Sequence, residues 1–189
     1  MRVLMLGNSL TAANDLPALL GRMLGAEVVA HTRGGARLAE HLNPATRLGG
    51  MTQRAFAAGG WDFVVLQESS NGPVVHRERF LETAARLCAQ AKDASIVPVF
   101  FETWAYAPNC PKLSEMGMTH DVMHRLLVDA YHEAARTSGA LIADVGTAFF
   151  EAPDKLELYR PDGVHPSEAG TQLAARIIAR ALQENRTPD

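Results

Sequence analysis

No stretch of this chain approaches the ~18 consecutive apolar residues that a membrane-spanning helix requires, so none is expected. A secretory signal is also missing. Arg2 is the only early positive charge, and the apolar stretch behind it is shorter than the roughly 7–15 residues of a signal-peptide core. The chain therefore reads as cytoplasmic, as would an exported protein whose signal had been removed. Lys and Arg are scattered among Asp and Glu at a net charge of -3, with no basic stripe, which argues against nucleic acid as a partner. Cysteine is scarce. Cys88 lies in a helical pattern and Cys110 in the loop PNCPK, with no metal-type spacing, so both are expected to be free thiols. No internal repeat, low-complexity tract or linker interrupts the sequence, and 189 residues suit one domain with a single core.

What the chain does have is alternation. Apolar runs at 3–7, 26–32, 62–67, 95–102 and 139–145 read as strands. Helical patterns at 14–24, 46–58, 76–92, 118–138 and 167–184 lie between or after them. In the fourth, Met118, Val122, Leu126 and Ala130 recur at about one turn, with Tyr131 and Ala134 widening the stripe. Near-continuous apolar strands separated by helices predict an α/β fold whose parallel sheet is covered on both faces. Ligands of such sheets bind outside the carboxyl ends of the strands. Three stretches of polar and aromatic residues fall there: GNSL after the first strand, ESSNG after the third and ETWAY after the fourth.

GNSL by itself is compatible with a plain turn. Near the other terminus stands DGVHPSEAG, in which Asp162 and His165 are three apart in a glycine-containing turn. A carboxylate at that spacing can curl back to the imidazole Nδ1 and set its tautomer. Pro166 and Ser167 suit the entry of the last helix.

Together, Gly7-Asn8-Ser9-Leu10 and Asp162-Gly163-Val164-His165-Pro166 resemble the first and last sequence blocks of the SGNH/GDSL hydrolase superfamily, at the two ends of the chain. The resemblance implies a flavodoxin-like three-layer α/β/α sandwich with five parallel strands in the order 2-1-3-4-5. It also implies Ser9 as nucleophile, His165 as base and Asp162 as its orienting partner. A serine hydroxyl attacks efficiently only when a neighbouring base takes its proton, and the oxyanion that forms needs prearranged donors. The family draws these from the serine N–H, a glycine N–H and an asparagine side chain. Here they map to Ser9, to Gly34 or Gly35 in HTRGGARL, and to the stretch after the third strand.

That third block departs from the family. In place of G-x-N-D the chain reads Gln67-Glu68-Ser69-Ser70-Asn71-Gly72, which looks like the divergent DUF4886-like branch. A gap-free alignment puts Asn71 on the family asparagine, while Gln67 carries the same NH₂ donor, so both stand as candidates. Asn8, Glu68, Glu102, Trp104 and Tyr106 are candidate substrate contacts, with loop packing the competing role for Trp104 and solvation that for the two carboxylates.

His120 and His124 stand one helical turn apart, but no H-E-x-x-H base or third ligand accompanies them, so a solvent-facing pair is expected and no metal. His31, His41, His76 and His132 carry no motif, and no Lys follows Gly7 in the manner of a phosphate loop. The expected activity is hydrolysis of an ester, acetyl on a carbohydrate or another hydroxylated compound foremost, with no cofactor, nucleic acid or membrane partner. An acyltransferase using the same three residues and a non-catalytic ligand-binding domain are the rival readings. Natural substrate and oligomeric state are not encoded in any motif.

Overall fold

A computed structural model describes residues 1–185. In chain order the elements are β1 (Arg2–Gly7), α1 (Ser9–Ala12), α2 (Leu16–Leu24), β2 (Glu27–Thr32), α3 (Leu38–Leu42), α4 (Arg47–Ala58), β3 (Phe63–Leu66), α5 (Gly72–Val75), α6 (Arg77–Asp93), β4 (Val97–Phe101), α7 (Pro111–Glu115), α8 (His120–Ser138), β5 (Leu141–Ala143), α9 (Val145–Glu151) and α10 (Glu168–Glu184). Short 3₁₀ turns occupy Ala13–Asp15 and Lys155–Leu158.

The sheet has five strands, all parallel, in the order β2-β1-β3-β4-β5. β1 and β3 lie at its centre, with Leu6 in register with His31 on one side and Leu66 on the other. Both central strands are buried over nearly their whole length, which is why they read as unbroken apolar runs rather than alternating ones. α2 packs against α10 over one face, while α4, α6 and α8, linked through α3, cover the other. Phe80, Phe100 and Tyr131 meet edge to face with centroids 5.0–6.3 Å apart and bind α6, β4 and α8 into the core. Among the described residues, no helix is long and apolar enough to cross a membrane.

All five predicted strands and five long helices are present, with ends moved by one or two residues. α10 begins as expected, its N-cap Ser167 accepting from the Gly170 N–H. The short helices α1, α3, α5, α7 and α9 did not register in the sequence, because segments of four to seven residues are too brief to establish a period. The stripe predicted for α8 is displaced by one position: Met123, Leu127, Ala130, Tyr131 and Ala134 form the buried face, while Val122 and Leu126 are only partly covered. Both stripes have helical spacing, and packing against α6 and β4 selects between their phases.

Candidate active site

The strand order reverses at β1, since the chain leaves it first toward β2 and then returns to build β3, β4 and β5 on its other side. In open sheets of this kind the carboxyl end of the strands at such a reversal is where ligands bind. Ser9 stands at that point, the first residue of α1 directly after β1. Gly7 ends the strand because nothing larger fits: a Cβ there would lie 2.3 Å from Thr11 Oγ1 and 2.6 Å from Gln67 Oε1.

Ser9 Oγ is 3.0 Å from His165 Nε2, and His165 Nδ1 is 2.6 Å from Asp162 Oδ2. The other Asp162 oxygen accepts from the backbone N–H groups of Val164 and His165, each at 2.9 Å. The 156 positions between serine and histidine are thus closed into one hydrogen-bonded chain of hydroxyl, imidazole and carboxylate. Partial burial works to raise the Asp162 pKa, but the Val164 N–H and the His165 ring and N–H outweigh it and hold the group down to about 2. It stays ionised, able to keep the Nδ1 proton in place and leave the Nε2 lone pair facing the serine hydroxyl. The site is open, with the His165 and Asp162 side chains 34% and 49% exposed.

The turn that carries Asp162 and His165 is braced from two directions. Trp104 Nε1 donates to the Val164 carbonyl at 3.0 Å, and the Ala107 N–H donates to the Gly163 carbonyl at 2.8 Å. Gly163 is left-handed at φ 67°, with Cys110 Cβ only 2.8 Å from where a side chain would begin. From the other side comes Asn14, which the sequence reading passed over. Its NH₂ donates to the Pro166 and Ser167 carbonyls and to Thr171 Oγ1 at 3.2, 3.0 and 2.8 Å, and its Oδ1 accepts from Arg160 at 2.6 Å. Asn14 and Asp15 both have positive φ. Asn tolerates that region well, and the run Ala13-Asn14-Asp15 at the start of the helical pattern 14–24 was the one available signal.

Several expected substrate contacts prove to be internal bonds between loops. Asn8 is buried and caps α1, with Oδ1 accepting from the Leu10 N–H at 3.0 Å and Nδ2 donating to the Ala36 carbonyl at 2.9 Å. Gln67 is also buried. Its Oε1 accepts from the Asn8 N–H at 3.0 Å and the Thr11 hydroxyl at 2.8 Å, and its Nε2 donates to the Glu68 carbonyl. Glu68 accepts from the Leu38 N–H at 3.2 Å and the Ser69 N–H at 2.6 Å, and burial raises its pKa. It is therefore not the solvated loop carboxylate that was expected. These three side chains tie the loops after β1, β2 and β3 to one another, through Ala36 and Leu38 on the loop after β2. Asn71, by contrast, makes no side-chain hydrogen bond among the described residues.

For Trp104 the structure shows the packing role. It is 1% exposed and lies flat on Phe149, centroids 4.1 Å apart, so it packs the core instead of lining a cleft. Tyr106 is buried too, its hydroxyl accepting from Ser70 Oγ at 3.3 Å. Glu102 is fully buried at the end of β4 and faces Thr147, His132 and Asp144 rather than Ser9. Desolvation raises its pKa to about 7 against the pull of the Thr147 N–H and hydroxyl. His120 and His124 are not a solvent-facing pair. His120 is buried, its Nδ1 2.7 Å from the Tyr106 carbonyl, and both rings stack on Phe150 at 5.4 and 4.0 Å. Cys88 and Cys110 are free and buried.

A doubly wound parallel sheet with serine, histidine and aspartate joined at its topological switch point defines an α/β protein of the flavodoxin-like hydrolase class. Residues 5–173 match the GDSL-like Lipase/Acylhydrolase family, and the chain belongs to it. A candidate SGNH hydrolase from Slackia heliotrinireducens is 50% identical, with a TM-score of 0.93 over 96% of this chain and 98% of that one. Two more distant structures share the fold. A DUF4886 family protein from Bacteroides uniformis is 22% identical, with a TM-score of 0.73 over 100% of this chain and 87% of its own. An acetyl xylan esterase from Geobacillus stearothermophilus is 16% identical, with a TM-score of 0.70 over 100% and 97%. No match is found among curated proteins.

Proposed function

We propose that this protein is a carboxylic ester hydrolase that works through an acyl-enzyme on Ser9. The observation that carries the reading is the chain Ser9–His165–Asp162, with contacts of 3.0 and 2.6 Å. Ser9 Oγ attacks the ester carbonyl as His165 Nε2 takes its proton, and Asp162 stabilises the imidazolium. The tetrahedral adduct collapses, the C–O bond to the alcohol breaks, and His165 returns the proton to the departing alkoxide. Water then attacks the acyl-enzyme with His165 again as base, releasing the acid and restoring the Ser9 hydroxyl.

The oxyanion donors in this reading are the Ser9 N–H, a backbone N–H of Gly34 or Gly35, and the Asn71 amide. Ser9 is the first residue of α1, so its N–H lacks an intrahelical acceptor. Around both glycines there is open space where a side chain would have stood. Asn71 is preferred to Gln67 because the Gln67 amide is already committed at both ends to Asn8, Thr11 and Glu68. Each such donor is worth about 3–4 kcal/mol in comparable sites.

A small acyl group, acetyl foremost, on a sugar or other hydroxylated compound fits the open site. Ready access of water to His165 favours hydrolysis over transfer to an acceptor alcohol. The test is p-nitrophenyl acetate turnover by wild type and Ser9→Ala, together with intact-mass detection of a fluorophosphonate adduct. Turnover and a single adduct, both lost in the variant, are expected. A folded wild-type protein giving neither would leave a ligand-binding domain.

A further inference from the structure

The carboxyl edge between β4 and β5 holds a second cluster of ligating groups that the ester chemistry does not use. Glu102 directly follows β4, Asp144 directly follows β5, and His132 reaches them from α8. The two oxygens of Glu102 have different surroundings. Oε1 accepts from the Thr147 N–H at 2.7 Å and the Thr147 hydroxyl at 3.0 Å. Oε2 is buried without a hydrogen-bond donor, and so is Asp144 Oδ1. His132 Nε2 lies 3.5 Å from the first and 3.2 Å from the second, yet neither approach has hydrogen-bond geometry. Two buried carboxylate oxygens thus face one imidazole nitrogen, all three within 4.8 Å of one another, with no hydrogen bond between them. Burying acceptors this way is unfavourable unless a positive charge completes the cluster.

We propose that Glu102, His132 and Asp144 bind a divalent first-row transition cation, Zn²⁺ foremost. Tetrahedral Zn²⁺ with bonds near 2.1 Å sets neighbouring ligand atoms ~3.4 Å apart, close to the two separations found here. One imidazole nitrogen beside two carboxylate oxygens favours Zn²⁺ over Ca²⁺ and Mg²⁺, which prefer all-oxygen shells. Thr147 holds Glu102 from behind, as outer-shell donors hold ligating carboxylates. Water fills the remaining position from the solvent side, where His132 and Asp144 are about half exposed. The ligands come from the residues that directly follow two neighbouring strands and from α8, so the ion joins β4, β5 and α8 at the edge of the sheet.

The experiment strips the full chain with a chelator and titrates Zn²⁺ against a chromophoric competitor, with metal content read by mass spectrometry after desalting. One Zn²⁺ per chain is expected, with a rise in Tm. Affinity should fall by at least ~100-fold in His132→Ala and in Asp144→Asn, and about tenfold in Thr147→Val. Asp162 and His165 also offer a carboxylate and an imidazole, so His165→Ala is the control and should bind Zn²⁺ as wild type does. The half-exposed positions of His132 and Asp144 let these variants fold, which the metal-free Tm checks. No retained Zn²⁺, unchanged affinity in His132→Ala, loss in His165→Ala instead, or a preference for Mg²⁺ would each overturn the assignment.

Discussion

Replacing Asp162 by asparagine changes one atom and tests the direction in which the His165 proton points. Asn Oδ1 can keep the two backbone bonds from Val164 and His165 at 2.9 Å, so the turn retains its shape. The other atom becomes an NH₂ that must donate to His165 Nδ1 across the 2.6 Å contact. The ring proton then moves to Nε2, 3.0 Å from Ser9 Oγ, and the lone pair that would take the serine proton is lost. A wrong tautomer of this kind lowers kcat by about 10⁴, or about 5.5 kcal/mol of barrier. Stability should barely change. The Asp162 pKa of about 2, against 3.8 unfolded, gives a contribution present above pH 3.8 and lost as pH falls through about 2. With the side chain about half exposed, screening leaves this below ~1 kcal/mol. The assay is kcat and KM on p-nitrophenyl acetate beside urea unfolding at pH 7. Turnover within about tenfold of wild type, in a variant of unchanged stability, would refute the tautomer argument and the role given to Asp162.

Gln67→Leu should destabilise the protein by about 2–5 kcal/mol in urea, since the buried Asn8 N–H and Thr11 hydroxyl lose their shared acceptor. Its kcat should fall as the serine corner loosens, whereas Asn71→Ala should lower kcat with stability unchanged. Trp104→Ala should cost about 3–5 kcal/mol of stability as a core truncation. Trp104→Phe, which keeps an aromatic ring against Phe149 but loses the bond to the Val164 carbonyl, should cost about 1–2 kcal/mol. An unchanged Tm with a raised KM in Trp104→Ala would instead make it a substrate contact. His41 is buried, and desolvation lowers its pKa from 6.5 to about 4. Its stabilising contribution is complete above pH 6.5 and fades as pH falls to about 4, because the unfolded chain takes the proton first. The range corresponds to about 3 kcal/mol, visible as a drop in urea midpoint between pH 7 and 4 that His41→Leu should lack.

Much was legible in the residues themselves. The strand and helix alternation, and with it a parallel sheet, follows from apolar periodicity that any local window of the sequence reports. The pairing of Asp162 with His165 is likewise local, a carboxylate three residues from its ring. The order of the strands came from resemblance, because nothing in VLMLG or DFVVL says which strand it will lie beside. The polar residues at the strand ends show where local reading stops. Asn8, Glu68 and Glu102 read as substrate contacts and Gln67 as an oxyanion donor, and each found its partner in another loop or element. Asn8 lies 59 positions from Gln67, and Glu102 lies 45 from Thr147. Whether such a side chain meets substrate or another loop depends on strand order and register, which exist only after the sheet has formed. The same holds for α8, whose sequence supports two adjacent stripes, and for His132, which carries no motif yet stands between two carboxylates from neighbouring strands. The sequence by itself determined the five strands and the five long helices, with Ser9 just after the first strand and the Asp162–His165 pair just before the last helix. Only the tertiary structure decided which buried polar groups would be satisfied by the fold and which left open, because a contact between distant residues has no periodicity to announce it.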